Sequence, residues 1–69
     1  MRLSARNKIN AIITGITRGE ATANVTLDAD GTRLVASITV EAADELGLRA
    51  GAPVVAIIKA SDVMLAVAD

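Results

Sequence analysis

The sequence has no cysteine and no histidine. Without thiolates there is no disulfide to staple a small fold and no sulfur ligand for a metal. Without imidazole, the usual zinc ligand and the usual general base are both missing. Aromatic residues are absent too, and the formal net charge is −1. Proteins that grip single-stranded nucleic acid stack bases on aromatic rings inside a basic groove, so both sources of that affinity are lacking. No apolar run approaches the roughly 20 residues that cross a bilayer, and Met1-Arg2-Leu3 leads into polar residues, unlike a signal peptide. The expectation is a soluble, cytoplasmic protein with neither nucleic acid nor membrane as partner.

What is present is aliphatic. Of 69 residues, 52% are hydrophobic, all of them aliphatic apart from two Met. The length suits a single domain over 1–69, yet a chain this short buries a modest share of its surface and needs a staple. With disulfides and thiolate metals excluded, oligomerisation is the staple left, and subunit interfaces are where the surplus apolar surface would be buried.

The patterning is mostly that of strands. Residues 8–14 alternate with Ile9, Ala11 and Ile13 on one face and Ile12 as an apolar exception on the other. Gly15 then suggests a bulge or sharp bend. Thr17-Arg18-Gly19-Glu20 reads as a turn with Gly19 free for positive φ. Residues 21–27 alternate cleanly, Asp28-Ala29-Asp30-Gly31 reads as a hairpin turn, and 33–40 is the returning strand, with Leu34, Ala36 and Ile38 inward. Over 41–46 the β-branched residues give way to helix formers, with Thr39 or Glu41 as cap and Gly47 as stop. Pro53 opens another strand. Residues 54–58, leading to Lys59, and 63–67 are apolar on both faces, the signature of strands covered on both sides. Five strands with a helix between the third and fourth is the element order of an OB-fold, a partly open Greek-key barrel.

Catalytic chemistry is poorly supplied. Ser61 beside Asp62 is no triad, Asp44 and Glu45 are adjacent on a helix and splay apart, and Asp28-Ala29-Asp30-Gly31 lacks the distal carboxylate of a calcium loop. No catalytic residue and no bound metal cation is expected. Anion chemistry is better supplied. Ser4-Ala5-Arg6-Asn7 gathers a hydroxyl, an unobstructed backbone N–H, a guanidinium and an amide, all able to donate and none negative. Taken alone, those residues fit a strand opening with one solvated Arg better. A second donor-rich stretch, Lys59-Ala60-Ser61, follows a buried strand, and Thr39 stands just before a helix start, where N–H groups are unpaired. Ala5 and Ala60 leave room for an anion to approach the backbone. The two loops are expected to meet across a subunit interface.

Ser4-Ala5-Arg6-Asn7, Leu46-Gly47-Leu48 after the short helix, and Ile57-Ile58-Lys59-Ala60-Ser61-Asp62-Val63-Met64 together resemble the molbindins, the molybdenum-pterin-binding (Mop) family, over essentially the whole chain and in the right order. The resemblance implies an OB-like fold assembled as a homo-oligomer, a hexamer built as a trimer of dimers. It implies molybdate or tungstate bound between subunits, and a part in intracellular molybdenum storage and homeostasis, with no catalytic cofactor. The oxyanion-binding positions it carries over are Ser4, Ala5 through its backbone, Arg6, Thr39, Lys59, Ala60 and Ser61. Asn7 would order the loop. Related modules often carry a hydroxyl three positions after Thr39, where this chain has Ala42. No pterin is expected, since there is no ring to stack on it. Two other classes stand beside this reading: an OB-type nucleic-acid-binding module, and a protein-interaction module without an oxyanion ligand.

Overall fold

The alternation and the turn residues act locally to give an antiparallel sheet and one short helix. The computed structural model describes residues 4–68, so the reading of Met1-Arg2-Leu3 lies outside the described residues. The elements are β1 (Asn7–Arg18), β2 (Thr22–Ala29), β3 (Thr32–Thr39), α1 (Val40–Glu45), β4 (Pro53–Ile58) and a 3-10 turn (Ala60–Asp62). The sheet order is β3-β2-β1-β4, and every pairing is antiparallel.

β1 serves two neighbours. Its first half, from Asn7 to Ile12, pairs with β4, and its second half, from Ile12 to Arg18, pairs with β2. The register shifts between Ile13 and Gly15, at the expected bulge. Thr14, the extra residue, donates through Oγ1 to the Thr26 carbonyl at 3.2 Å. A bulge bends the strand and moves its alternation by one. Before it Ala11 and Ile13 are buried, and after it the inward residue is Ile16. β1 continues through Arg18, further than the predicted turn, and Gly19 is not among the positive-φ residues. Its smallness serves a close approach instead: its N–H donates to Thr22 O at 2.8 Å, and a Cβ there would lie 3.2 Å from that oxygen.

The β2–β3 hairpin closes through Asp30 and Gly31, both at positive φ (51° and 91°), which is the two-residue turn that matches strand twist. Asp28 Oδ1 accepts from Gly31 N–H at 3.1 Å and fixes the turn. Thr39 caps α1, its Oγ1 accepting from Ala42 N–H at 3.0 Å. At the other end Gly47 N–H donates to Asp44 O and Leu48 N–H to Ala43 O, both at 3.1 Å, with Gly47 at φ 63°. That is a Schellman ending, available because glycine takes left-handed φ at no steric cost. The returning loop is tied to β1 at the bulge: Gly51 N–H donates to Ile13 O at 2.7 Å, and Ile13 N–H to Ala52 O at 3.0 Å.

The core is small. Ala11, Ile13, Val25 and Leu27 form its centre, with Leu34, Ala36, Ile38, Val54 and Ala56 half-buried around it. The fold differs from the expectation at the C-terminal end: among the described residues four strands form, not five, and they do not close into a barrel. Residues 63–68 have the composition of a buried strand but join no ladder. Composition can mark a segment as strand-competent, but a strand needs a partner edge, and among the described residues none takes it.

Candidate functional site

Antiparallel pairing of β1 with β4 decides where the donor-rich stretches go. The last pair of that ladder is Asn7 with Ile58. One residue beyond it lie Arg6 on one strand and Lys59 on the other, so the loop of Ser4, Ala5 and Arg6 stands beside the loop of Lys59, Ala60 and Ser61. The two loops therefore stand at the same end of the sheet within a single chain. The sequence conceals this because the two stretches are more than 50 positions apart; only the ladder register joins them.

Asn7 pins the junction. Its Nδ2 donates to the Ile58 carbonyl at 3.1 Å, a partly buried bond. That bond ties the start of β1 to the end of β4, beside the two loops. Ser4, Arg6, Lys59, Ala60 and Ser61 are exposed, and Ala5 is half-buried. The second loop turns at once into a 3-10 segment, in which Asp62 N–H donates to Lys59 O at 2.9 Å and Val63 N–H to Ala60 O at 3.3 Å. The N–H groups of Ala60 and Ser61 come before those closing bonds, at the end where donors are left over. Two full positive charges, two hydroxyls and backbone N–H groups beside small side chains thus share one end of the sheet. An acceptor-only anion can be held by such a set, since every group offers a proton.

Thr39 is elsewhere. It pairs with Thr22 at the far end of β2, near where Arg18 pairs with Ala23. Asn7 and Arg18 are the two ends of a 12-residue strand, a separation on the order of 30 Å for an extended chain. Within one chain, Thr39 and the paired loops cannot touch the same small ligand. The Thr39 hydroxyl oxygen is occupied as acceptor by Ala42 N–H, and its own proton is free to donate outward.

The sequence reading placed Asp44 on a solvated face and missed its partner. Arg18 Nη1 meets Asp44 Oδ1 at 2.7 Å, fastening α1 to the end of β1. Both side chains are about half exposed, so the pair contributes under about 1 kcal/mol. The contact is 26 residues apart in sequence, and no local pattern announces it. Among the described residues no group of acidic side chains is arranged to hold a metal ion, and no helix is long and apolar enough to cross a membrane.

An antiparallel sheet that presents a cluster of donors at one end, with one short capped helix, defines a small β-class binding domain. Comparison with known proteins agrees and is more specific. The TOBE domain model matches residues 3–65. Molybdenum-pterin-binding protein 1 from Clostridium pasteurianum is 38% identical over 66 residues, spanning 94% of this chain and 97% of that protein. A molybdate-binding protein from Sporomusa ovata has a solved structure that superposes with a TM-score of 0.93 at 36% identity, covering 96% of this chain and 98% of that one. The cytoplasmic molybdate-binding protein ModG, solved with molybdate bound, gives 0.88 at 45% identity; the match covers 93% of this chain and 46% of ModG. The chain belongs to the TOBE domain family and, within it, to the molybdenum-pterin-binding proteins.

Proposed function

We propose that this protein binds molybdate, and tungstate alike, as a cytoplasmic store that buffers intracellular molybdenum, and that it catalyses no reaction. The observation that carries the reading is the ladder end at Asn7 and Ile58, which sets Arg6 beside Lys59 among hydroxyls and small residues. Molybdate is a tetrahedral dianion whose oxygens only accept, and the loops supply donors from Ser4, Ala5, Arg6, Lys59, Ala60 and Ser61, with Asp62 of the same turn required to point away. The formal charge of the chain is −1, so attraction arises from local geometry and not from a basic field. Sulfate has the same charge and shape but is smaller, so discrimination rests on the size of the space between the loops, and tungstate, nearly the size of molybdate, passes the same test.

The placement of Thr39 supports binding at subunit interfaces. Thr39 of one chain can share a ligand with the paired loops only if they belong to another, and a closed homo-oligomer, a hexamer built as a trimer of dimers, provides such meetings. Isothermal titration with molybdate, tungstate and sulfate tests the reading. Wild-type protein is expected to give heat with the first two and little with sulfate. Arg6→Ala or Lys59→Ala removes a charge-assisted contact of about 1.5–3 kcal/mol, roughly a 10- to 100-fold loss of affinity. Wild-type protein that takes up neither molybdate nor tungstate overturns the proposal.

A further inference from the structure

The β2–β3 hairpin turns on Asp30-Gly31, the one Asp-Gly pair in the sequence. Asp followed by Gly is the dipeptide most prone to spontaneous rearrangement of the main chain, because glycine has no side chain to shield its nitrogen. Nothing lies within 4 Å of where a Cβ on Gly31 would stand. Asp28, Asp30 and Gly31 are all exposed, so solvent reaches the turn.

The rearrangement has two steps. In an unfolded chain the Gly31 nitrogen attacks Cγ of the protonated Asp30 carboxyl. A C–N bond forms, the carboxyl's hydroxyl leaves with the amide proton as water, and a five-membered succinimide ring remains. Water then adds to the ring at the Asp30 main-chain carbonyl carbon and breaks its bond to nitrogen. The chain now runs through Cγ as isoaspartate, with its mass unchanged.

The fold opposes ring closure twice. Asp30 sits at φ 51°, in the left-handed region where ψ is about +30 to +60°. There the following nitrogen is turned to the side of Cα away from Cβ, out of reach of Cγ. Gly31 N–H is also held by Asp28 Oδ1 at 3.1 Å, which fixes its direction. Ladder pairing carries up to the turn, with Asp28 opposite Arg33 and Ala29 opposite Thr32, so Asp30 cannot leave that region while the hairpin is closed.

We propose that Asp30-Gly31 is a latent isoaspartate site, held shut in the folded hairpin by the left-handed turn and by the Asp28 carboxylate. Isoaspartate adds one main-chain atom to a two-residue turn. Turn length sets hairpin register, so a chain modified while unfolded no longer aligns β3 on β2. None of this depends on what the donor loops bind.

The full chain is aged at neutral pH in buffer and in unfolding urea, then cut with trypsin after Arg18 and Arg33. Isoaspartate is read in the peptide of residues 19–33, by its separation from the aspartate form at equal mass and by electron-transfer fragments specific to the rerouted chain. Ring closure in buffer requires local opening of the hairpin, so the rate there is expected to be at least ~10-fold below that in urea. Asp28→Ala is expected to isomerise about 5-fold faster than wild type in buffer, from the lost hydrogen bond, and at the wild-type rate in urea. Asp28→Asn keeps the Oδ1 acceptor and is expected to stay near wild type. Asn7→Ala, which removes a hydrogen bond between β1 and β4, controls for general loss of stability and is expected to leave the rate low. Equal wild-type rates in buffer and urea overturn the proposal, and that comparison stands even if a variant does not fold. An Asp28→Ala rate in buffer no higher than wild type overturns the part given to Asp28. So does an equal acceleration by Asn7→Ala, which would make global unfolding the route.

Discussion

Arg6 and Asn7 are neighbours with opposite duties. Arg6 is exposed and uncommitted to any of the described hydrogen bonds, whereas Asn7 is half-buried and spends its amide on Ile58. Replacing Arg6 by Lys keeps the charge but loses the planar fork, so affinity for molybdate is expected to fall by less than for Arg6→Ala while remaining below wild type; titration of the two variants side by side checks the order. Asn7→Ala leaves the Ile58 carbonyl without its partner, costing about 1 kcal/mol. Chemical denaturation at fixed protein concentration would show a lower midpoint with an unchanged slope. Asn7→Asp would both lose the donation and set a negative charge beside the donor loops, and it is expected to suppress molybdate binding more than Asn7→Ala does.

Among the elements, α1 has the clearest dependence on single residues. It is six residues long, too short to persist by propensity alone. It is held by the Thr39 cap, the glycine ending, Ala43 fully buried against the sheet, and the Arg18–Asp44 pair. Thr39→Ala removes the cap and is expected to cost about 1 kcal/mol. Gly47→Ala forces a Cβ into left-handed backbone, costing about 1–2 kcal/mol, even though no neighbour crowds that position. Both appear as lowered unfolding midpoints. The two differ in ligand response if Thr39 also donates to the anion: Thr39→Ala then weakens titration with molybdate, and Gly47→Ala leaves it near wild type once the protein is folded.

At the scale of the whole molecule, one chain is an incomplete object. Ile12, Val55 and Ile57 lie outward on β1 and β4 at 43–45% exposure, and the tail is barer still. On the proposed homo-oligomeric reading, thermal stability is expected to rise with protein concentration, as it does whenever folding and association are linked. A ligand that binds only the folded form adds RT ln(1 + [L]/Kd), about 2.7 kcal/mol at one hundred times Kd. Melting followed in molybdate, tungstate and sulfate at equal concentration is therefore expected to show large, similar upward shifts for the first two and little for the third. Equal shifts for all three would mean that the space between the loops does not select by size.

The local elements were legible in the sequence because their causes are local. Alternation over β2 and β3, the Asp30-Gly31 turn, the bulge at Gly15, the Thr39 cap and the Gly47 stop each follow from residues within a few positions of one another, and all of them form. The donor chemistry of Ser4, Arg6, Lys59 and Ser61 was legible for the same reason. Tertiary structure alone decided the rest. Ladder register, not residue type, put Arg6 beside Lys59 in one chain and sent Thr39 to the opposite end of the sheet. It also left residues 63–68 outside the ladder. A sequence states which segments can be strands and which groups can donate; which edge receives a strand is settled only when the sheet is built, because that choice depends on contacts between residues far apart along the chain.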